Sequence, residues 1–453
     1  MKITAVILAA GQGTRMNSDL QKVLHPLCGK PMLWHVLEAL KTVTTEKSVV
    51  VIGHGADDVK NYVGDSAECV LQEPQLGTGH AAMQAEPLLK GRTEYVIVTY
   101  ADMPLLRDET FKQLVETQRR NPGPLSILTV IADAPRGFGR IVRNADGTVN
   151  AIVEEDVATP EQREIKELNV GAYCFKADWL WDALHRIEKN PKKGEYYLTD
   201  VVELAVKDHV PVQAVIHDDF IETIGINTRV HLSEAEAALR TRINREHMLN
   251  GVSLMDPTST YIEVGVKIGK DTTLMPNTYI HGNTMIGERN VIGPNTIIRN
   301  STIGNGCKIL ASVLEGAVLE DDIDMGPFAR LRKGAHLKSH VHMGNFGEVK
   351  DSTLHEGVKM GHFSYIGNAT IGANTNIGAG TITCNYDGEK KHATEIGEDA
   401  FIGSDTMLVA PLKLGNGART GAGAVVTKDV PDDTLVVGIP ARAIRKLERK
   451  KKG

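Results

Sequence analysis

The sequence predicts an α/β sandwich in its first half and a parallel β-helix in its second, connected by a single helix. The first prediction rests on short β-branched runs that alternate with helical stretches over residues 1–227. The second rests on an apolar residue that recurs at steps of six from Ile268 to Ile298 and, after slips of register, again from Ile396 to Leu414. Because the periodicity changes between these regions, we expect the 453 residues to form domains with different folds.

Four apolar runs in the first half are candidate buried strands, at residues 5–8, 49–52, 95–98 and 127–130. Residues 31–40 and 108–117 have the pattern of intervening helices. Strand–helix alternation at this spacing predicts a mostly parallel sheet. Ligands of such sheets bind beyond the carboxyl ends of the strands, so we expect functional residues there.

One amphipathic helix is predicted between the two halves. Its apolar residues recur at helical spacing among many charges, at Leu232, Ala235, Leu239 and Ile243. Asn250 and Gly251 then supply a stop signal. The predicted domains are residues 1–227, the linker helix 228–250, and residues 251–453 with a basic tail.

The second half is a hexapeptide repeat. Apolar residues fall at steps of six, first at Ile268, Leu274, Ile280, Ile286, Ile292 and Ile298, and later at Ile396, Ile402, Leu408 and Leu414. Such a period specifies a parallel β-helix with inward-pointing apolar residues. A β-sandwich would instead alternate with period two. The repeat breaks at residues 384–394, which predicts a protruding loop, a natural binding element.

The composition favours small-molecule ligands. Charged residues make up 24% and apolar residues 42% of the chain, as in soluble proteins. A net charge of −6 argues against a general nucleic-acid binder, which needs a basic excess. No apolar run approaches the length of a membrane span. We therefore expect neither nucleic acid nor membrane as a partner.

The five cysteines are odd in number and contain no C-x-x-C pair. We interpret them as free thiols in a reducing cytoplasm. The apolar run at residues 3–10 is at the short limit for a signal peptide and leads straight into a glycine-rich loop. A buried strand that enters a phosphate-binding loop is the better interpretation.

That loop reads Leu-Ala-Ala-Gly-Gln-Gly-Thr-Arg-Met at residues 8–16 and is followed by Lys22. Glycines allow backbone N–H groups to approach a phosphate, and Arg15 and Lys22 would add charge for a triphosphate. The spacing matches neither the dinucleotide fingerprint nor the Walker A loop. From Gly-x-Gly alone, a structural turn is an equally good interpretation.

The pattern Leu-x-x-Gly-x-Gly-Thr-Arg-Met followed by Lys resembles the signature of sugar-nucleotide pyrophosphorylases. Together with the hexapeptide half, residues 3–430 resemble the bifunctional N-acetylglucosamine-1-phosphate uridyltransferase/glucosamine-1-phosphate N-acetyltransferase family. The resemblance implies a Rossmann-like nucleotidyltransferase domain and a left-handed β-helix. It implies acetylation of glucosamine 1-phosphate by acetyl-CoA, then Mg²⁺-dependent uridylyl transfer from UTP with release of pyrophosphate. The product would serve peptidoglycan synthesis, and a further use in lipopolysaccharide stays open.

The resemblance assigns a uridylyl site. Gln72 matches the residue that reads uracil, since its amide offers both donors and an acceptor. Asp102 and Asn227 match the two Mg²⁺ ligands, and this cation takes few protein oxygens besides phosphates and water. Arg15 and Lys22 are the catalytic cations. The other substrate positions are Leu8, Ala9, Ala10, Gly11, Gly77, Thr78, Tyr100, Ala101, Gly139, Glu154 and Asn169, with Lys22 again among them.

Two positions depart from the family, which usually has Gly at Ala101 and Pro at Gln21. We expect the first to affect the backbone approach slightly and the second to matter little. The reaction itself needs no general base, because the attacking sugar phosphate is already anionic. Catalysis would come chiefly from positioning and charge neutralisation.

The acetyl-transfer site needs a base, because a protonated amine cannot attack a thioester. His362, in the setting Gly-His-x-x-Tyr, matches the family's base, and Glu348 would orient and polarise it. Arg332 and Lys350 match its ligands for the sugar phosphate. Sugar contacts carry over to Tyr365 and Asn376, and acetyl-CoA contacts to Ala379, Asn385, Tyr386, Ser404 and Ala422.

The family resemblance also implies a homotrimer with acetyl sites between subunits. Where the family often has a coenzyme-contacting Arg, residues 438–442 read Gly-Ile-Pro-Ala-Arg, which leaves Arg442 as an open candidate. The basic tail from Arg442 to Lys452 is interpreted as solvated and disordered. A role near the coenzyme's phosphates is the alternative.

Two other functions compete. ADP-glucose and glucose-1-phosphate pyrophosphorylases combine a similar catalytic domain with a β-helix that only regulates or oligomerises. The cluster of Glu348, Lys350, His362 and Tyr365 favours two activities instead. A non-catalytic scaffold is disfavoured by intact Arg15, Lys22 and Asp102.

Overall fold

The computed structural model describes residues 2–191 and 193–446. The chain forms two compact units, of which the first ends at Leu239 and the second begins at Arg240. No helix in the described part of the chain is long and apolar enough to cross a membrane. The five cysteines, all within that part, are free thiols, as predicted.

The first unit is built on a nine-stranded sheet. Its strands are β1 (Ile3–Leu8), β2 (Val49–Ile52), β3 (Glu68–Leu71), β4 (Tyr95–Tyr100), β5 (Leu125–Ile131), β6 (Arg140–Arg143), β7 (Val149–Val153), β8 (Glu167–Lys176) and β9 (Val212–His217). Their order is β9-β5-β8-β4-β1-β2-β3, with β6 paired to β8 and β7 to β6. The four predicted strands are confirmed.

The sheet is parallel where the loop-bearing strands β4, β1, β2 and β3 lie side by side. Strand β8 is antiparallel to both β4 and β5, so the sheet is mixed rather than nearly all parallel. The β8 sequence, Glu-Leu-Asn-Val-Gly-Ala-Tyr-Cys-Phe-Lys, contains Asn and Gly at its centre. The pairing of β8 with β5 is irregular at these two residues. Because polar and glycine residues interrupt the apolar pattern there, the sequence did not predict a strand.

Helices cover both faces of this sheet. They are α1 (Met32–Lys41), α2 (Ala56–Val63), α3 (Thr78–Met83), α4 (Glu86–Leu89), α5 (Asp108–Arg120), α6 (Pro160–Arg163), α7 (Ala177–Arg186) and α8 (Asp200–Lys207). In α1 the residues Met32, Leu33, Val36 and Leu40 are buried, the spacing of a helix with one apolar face. The predicted helices at 31–40 and 108–117 are therefore observed within a few residues.

A long helix, α9 (Arg229–Leu249), contains the last residues of the first unit and the first residues of the second. Ala235 and Leu239 are buried, and Ile243 packs against the core of the second unit. The buried Asn244 amide donates to the carbonyls of Pro257 and Thr260, 2.8 and 2.9 Å away. The helix therefore leads directly into the first coil of the repeat.

The second unit is a parallel β-helix with three sheets. Face 1 comprises Ser253–Leu254, Thr273–Leu274, Val291–Ile292, Lys308–Ile309, Asp324–Met325, His342–Met343, Lys359–Met360, Asn376–Ile377, Phe401–Ile402, Arg419–Thr420, Thr434–Val437 and Arg442–Lys446. Face 2 comprises Tyr261–Ile262, Tyr279–His281, Ile297–Arg299, Val313–Glu315, Arg330–Leu331, Gly347–Lys350, Ser364–Gly367, Ile382–Cys384, Met407–Val409 and Val425–Val426. Face 3 comprises Lys267–Ile268, Met285–Ile286, Thr302–Ile303, Val318–Leu319, Ala335–Leu337, Ser352–Leu354, Ala369–Ile371, Thr394–Ile396 and Leu412–Leu414.

The predicted apolar positions fill the interior of this β-helix. Leu274, Ile280 and Ile286 are buried on three successive strands, and Ile402 and Leu408 are buried farther along. Each pairs with the equivalent residue one coil later, as Leu274 does with Ile292. Burying one apolar side chain per strand removes a continuous column of apolar surface from water, which stabilises the stack. The loop predicted at 384–394 leaves between faces 2 and 3.

The prediction of a disordered tail is wrong for its first residues. Arg442–Lys446 forms an antiparallel strand against Thr434–Val437 and extends face 1. A basic composition alone did not reveal this pairing, because backbone hydrogen bonds to an existing strand need no apolar side chains. Residues 447–453 of the predicted tail lie outside the described residues.

Candidate active sites

A cleft of about 300 Å³ opens beyond the carboxyl ends of β1 and β4 in the first unit. It brings together ten of the predicted residues: Leu8, Ala9, Ala10, Gly11, Lys22, Gln72, Gly77, Thr78, Tyr100 and Asp102. Four further lining residues, Val23, Gln75, Ala81 and Glu195, were not predicted. Gln75 lies between the predicted residues Gln72 and Gly77, and Ala81 follows Thr78 by three residues, so closeness in sequence to predicted residues was the available signal.

The glycine-rich loop follows β1 and folds over Lys22. Gly13 has a φ of +64°, and a side chain there would place its Cβ 2.5 Å from Cβ of Lys22. At Gly11, by contrast, no atom lies within 4 Å of the Cβ position. Gly13 is therefore required by the fold, whereas Gly11 leaves open space beside the cleft.

Gln21 has a defined structural role. Its Oε1 accepts a hydrogen bond from the backbone N–H of Lys22 at 3.1 Å, and its Nε2 donates to the carbonyl of His54. The side chain is 5% exposed. It therefore fixes the backbone that carries Lys22, in place of the proline usual in the family.

Four polar side chains converge at one end of the cleft. The Lys22 ammonium lies 2.5 Å from Oδ2 of Asp102 and 2.7 Å from Oδ1 of Asn227. Arg15 donates from Nη2 to the same Asn227 oxygen at 3.0 Å. The backbone N–H of Ile226 donates to the Asp102 carbonyl at 2.9 Å and holds the two loops together. The predicted metal ligands thus present two oxygens to one cation.

At the other end of the cleft, Gln72 is held by its own amide. Its Nε2 donates to the Gly77 carbonyl at 2.9 Å and lies 3.2 Å from Nδ1 of His80. Burial, together with Lys189, lowers the pKa of His80, so its ring is neutral at pH 7 and its Nδ1 can accept. Because Nε2 is engaged internally, the oxygen Oε1 remains to meet a ligand.

Gly77 closes the loop around this end. It has a φ of +98°, and a Cβ there would lie 2.5 Å from the Tyr196 carbonyl. The Thr78 hydroxyl accepts a hydrogen bond from the N–H of Leu198 at 3.0 Å. Residues 196–198 thus pack against this loop, and only glycine fits at position 77.

A buried polar network lies beneath the cleft. Tyr100 bonds to Thr78 and Tyr173, and burial, followed by the charge of Glu154, raises its pKa. Asn169 donates to the Tyr173 hydroxyl at 2.7 Å and accepts from the N–H of Gly171 at 3.2 Å. Ala101 is fully buried in the core. Among the predicted residues, the side chains of Ala101 and Asn169 therefore serve the scaffold in this structure.

A second cavity of about 400 Å³ shares Glu195 with the cleft. Its lining contains the predicted Arg15 and Glu154, together with Gly137, Glu155, Asp156, Lys193 and Tyr197. Glu154 accepts from the Thr199 hydroxyl at 2.9 Å, and burial raises its pKa. Gly139 lies beside it, and its carbonyl accepts from the N–H of Asn169 at 2.9 Å.

In the second unit, three predicted residues share face 2, and Arg332 directly follows the face 2 strand Arg330–Leu331. Glu348 and Tyr365 are register partners, and Lys350 lies at the end of the Glu348 strand. Arg332 donates from Nη1 to Oε1 of Glu348 at 3.0 Å. Lys391 lies beside Lys350 and, with Arg332, lowers the pKa of the Lys350 ammonium. Three cationic side chains, those of Arg332, Lys350 and Lys391, therefore lie close together beside Glu348.

His362 lies at the corner between faces 1 and 2, at the head of a column of small residues. Strand register on face 1 places Lys359 beside Asn376, Asn376 beside Phe401, and Phe401 beside Arg419 in successive coils. The corner lies three residues after each of these positions. The corner positions that follow His362 along the β-helix are therefore Ala379, Ser404 and Ala422. Three of the five predicted coenzyme contacts form one edge.

The other two predicted coenzyme contacts lie at the opposite edge of face 2. Asn385 donates from Nδ2 to Oδ1 of Asn368 at 2.7 Å. Tyr386 begins the protruding loop and is 61% exposed. A contact of 2.6 Å between Oδ2 of Asp387 and Nε2 of His392 closes this loop.

Two predicted relations are not formed within one chain. Glu348 contacts Arg332, and across residues 2–191 and 193–446 no hydrogen bond joins it to His362. Asn376 lies on face 1, away from the face that carries Glu348 and Tyr365. Sequence position could not show this, because which face a residue occupies depends on the register of every preceding coil.

Comparison with known proteins fits both units. The MobA-like NTP transferase domain family matches residues 5–152. The bacterial transferase hexapeptide family matches residues 265–300, and the hexapeptide repeat of succinyl-transferase matches residues 394–428. With the phosphate loop and the β-helix, these matches define a two-domain transferase that joins nucleotidyl transfer to acyl transfer.

The relatives extend along both units. "Bifunctional protein GlmU" of Geobacillus sp. (strain WCH70) is 46% identical over 98% of this chain and 97% of its own length. The protein of that name from Geobacillus thermodenitrificans is 48% identical over 98% of this chain and 97% of its own. That from Streptococcus equi subsp. zooepidemicus is 44% identical, with coverage of 98% and 97%.

The chain belongs to the bifunctional GlmU family. It is a bifunctional enzyme of UDP-N-acetylglucosamine biosynthesis, a uridylyltransferase and an acetyltransferase in one polypeptide. The prediction of two activities is confirmed, and a single-headed pyrophosphorylase is not favoured.

Proposed function

We propose that the first unit transfers a uridylyl group from UTP to N-acetylglucosamine 1-phosphate with Mg²⁺. The second unit acetylates glucosamine 1-phosphate from acetyl-CoA, with His362 as its base. The uridylyltransferase domain comprises residues 1–227 and the acetyltransferase domain residues 251–453, and the linker helix 228–250 joins them. The protein works as a cytoplasmic homotrimer, in keeping with its free thiols. The observation that carries the first assignment is the convergence of Asp102 and Asn227 on one cation.

Uracil fits the base end of the cleft. Because Gln72 uses its Nε2 for Gly77 and His80, it offers the acceptor Oε1 to the ligand. Uracil presents a donor at N3, whereas cytosine presents an acceptor there. With cytosine, the acceptor Oε1 would face another acceptor and would lack a hydrogen-bond donor. The fixed amide therefore favours uracil.

The residues at the cation end fit a divalent metal. Asp102 and Asn227 supply one carboxylate and one amide oxygen, and the described part of the chain contains no cluster of three His, Cys, Asp or Glu side chains that would hold a metal by itself. Mg²⁺ is commonly bound in this way, with phosphate oxygens and water completing its shell. When bound, it would neutralise charge on the phosphates and orient them for in-line attack.

The chain's own cations complete the phosphate site. Lys22 and Arg15 both reach the point where Asp102 and Asn227 meet. In the presence of a nucleotide, we expect them to contact phosphate oxygens, where charge-assisted hydrogen bonds are strong. The sugar phosphate enters beside Glu154 and Gly139. Its anionic oxygen attacks the α-phosphate of UTP without a base, and pyrophosphate leaves.

The edge headed by His362 suits the coenzyme. Ala379, Ser404 and Ala422 present small side chains in three successive coils, so an extended pantetheine arm can lie along them. Its thioester end would then reach His362, which is exposed and can take a proton from the amine. Arg332 and Lys350 would bind the sugar phosphate.

The width of face 2 indicates a site shared between copies of the chain. Asn385 lies above Asn368, six residues beyond His362 along the coil. At a strand rise of about 3.3 Å per residue, the two edges are up to about 20 Å apart. One sugar phosphate does not span that distance, so a second copy completes the site. Three-fold symmetry repeats this contact in a closed ring.

Two assays test the proposal. Pyrophosphate release from UTP, N-acetylglucosamine 1-phosphate and Mg²⁺ reports the first activity, and free thiol from acetyl-CoA and glucosamine 1-phosphate reports the second. His362→Ala should lower acetyl transfer about 10²–10⁴-fold and leave pyrophosphate release unchanged. Acetyl transfer within a few-fold of the parent across neutral pH would remove His362 as the base.

A further inference from the structure

A buried carboxylate joins the two loops that carry Asp102 and Asn227. Glu222 is 2% exposed. Its Oε1 lies 2.7 Å from Nε of Arg107, and its Oε2 accepts from the Thr110 hydroxyl at 2.7 Å and from the Arg107 N–H at 3.1 Å. His217 lies 3.5 Å from the same oxygen.

This carboxylate is ionised. Burial alone would raise its pKa, but the nearby His217 ring, the hydrogen bonds from Thr110 and the Arg107 backbone, and the Arg107 charge lower it. A buried charge is stable only while its partners stay in place. The cluster therefore constrains both elements that contribute to it.

Those elements lie close in sequence to the proposed metal ligands. Arg107 follows Asp102 by five residues, and Asn227 follows Glu222 by five. Between them, Ile226 donates to the Asp102 carbonyl at 2.9 Å. The two loops are thus linked at two points, one beside the ligands and one at the buried carboxylate.

We infer that Glu222 is a positioning residue for the divalent-cation site, because it fixes the loop of Asn227 against the loop of Asp102. The inference rests on the proposed role of those two residues. Glu222 is not part of the lining of either cavity, so it would act through Asn227 and not by contact with substrate.

The test is Glu222→Gln in the full-length enzyme. Partners outside the metal's own shell typically alter metal affinity 10–100-fold, so we expect the half-saturating Mg²⁺ concentration of uridylyl transfer to rise about 10-fold. Binding of Mn²⁺ in the presence of UDP-N-acetylglucosamine, followed by electron paramagnetic resonance without turnover, should weaken by the same factor. Acetyl transfer should be unchanged.

A matched control is Asp208→Asn, which removes an ion pair with Arg186 of 2.6 Å in the same unit. It should leave both metal measurements unchanged. If Glu222→Gln does not fold, as judged by tryptophan fluorescence, Thr110→Val replaces it, with an expected shift of about three-fold for one lost hydrogen bond. Parental Mg²⁺ and Mn²⁺ constants in a folded variant would overturn the inference.

Asp102→Asn separates this inference from the assignment on which it rests. If Asp102→Asn also keeps the parental Mn²⁺ affinity, the metal site itself is misassigned. If Asp102→Asn loses the metal while Glu222→Gln retains it, only the positioning role of Glu222 is wrong.

Discussion

The cleft of the first unit and face 2 of the second organise their residues differently. In the cleft, residues from positions 8 to 227 of the sequence converge within hydrogen-bonding distance, as Lys22 does with Asp102 and Asn227. On the β-helix, the predicted residues lie on one face, on its two edges and, for Asn376, on another face. An α/β fold gathers loops at one edge of a sheet, whereas a solenoid spreads them along its length. We therefore expect one site to be complete in a single chain and the other to need a second copy.

Separating the two units should give the largest effect on the two activities. A fragment ending at Gly251 should retain pyrophosphate release within a few-fold and have no acetyl transfer, because it contains the whole cleft and none of the β-helix. A fragment beginning at Thr228 should form trimers by analytical ultracentrifugation and acetylate glucosamine 1-phosphate. A fully active acetylating monomer would contradict the shared site.

Asp102→Asn should lower uridylyl transfer and leave acetyl transfer unchanged. Replacing a carboxylate ligand with an amide removes about 4 kcal/mol of charge stabilisation, which corresponds to a loss of pyrophosphate release of about 10³-fold. Acetyl transfer serves as the internal control and should stay at the parental rate. Near-normal pyrophosphate release at ordinary Mg²⁺ would place the metal elsewhere.

Gln72→Ala should act within the cleft on nucleotide affinity. The variant loses the proposed acceptor for uracil and the contacts of the Gln72 amide with Gly77 and His80. We expect the KM for UTP to rise about 10-fold, the effect of one or two hydrogen bonds, and discrimination against CTP to fall. An unchanged ratio of kcat/KM for UTP and CTP would show that another group reads the base.

Asp200→Asn should have the smallest effect and concerns stability alone. Burial, followed by the charges of Glu203 and Glu154, raises the pKa of Asp200 from 3.8 to about 6. A carboxyl with a raised folded-state pKa stabilises the fold below its unfolded pKa, and this contribution is lost as the pH rises through 6. With allowance for solvent screening, the variant should be about 1 kcal/mol more stable than the parent at pH 8, and the difference should shrink towards pH 4.

Urea unfolding followed by tryptophan fluorescence measures this difference in the first unit alone. The three tryptophans, Trp34, Trp179 and Trp181, all lie in that unit. A stability difference that does not vary between pH 4 and pH 8 would show that Asp200 titrates normally in the folded state.

The sequence was informative where spacing determines structure. The six-residue period identified the interior of the β-helix, because each strand contributes one buried residue. The glycine-rich loop identified the edge of the sheet at which the cleft lined by Gln72 and Asp102 opens, since parallel strands end at one edge.

Other features depend on partners distant in the sequence. Strand β8 is defined by its pairing with β4 and β5, which lie far earlier in the sequence. The strand Arg442–Lys446 pairs with the nearby Thr434–Val437 through backbone bonds, which its basic composition does not reveal. The role of Glu222 depends on Arg107 and Thr110, more than 100 residues earlier. The bond from Arg332 to Glu348 joins adjacent coils, and the resemblance had paired Glu348 with His362 instead. Local periodicity contains no signal for such contacts.

Subunit mixing tests most directly whether one site lies within a chain and the other between chains. His362→Ala and Asn385→Ala proteins are unfolded together, refolded as mixed trimers and assayed for acetyl transfer. Asp102→Asn and Asn227→Ala proteins are treated in the same way and assayed for pyrophosphate release. A mixed closed ring contains one junction at which both acetyl-site residues are intact, so equal mixing should restore roughly a quarter of the parental acetyl transfer. Pyrophosphate release should not recover. Absence of acetyl rescue in proven mixed trimers, or rescue of pyrophosphate release, would contradict this account.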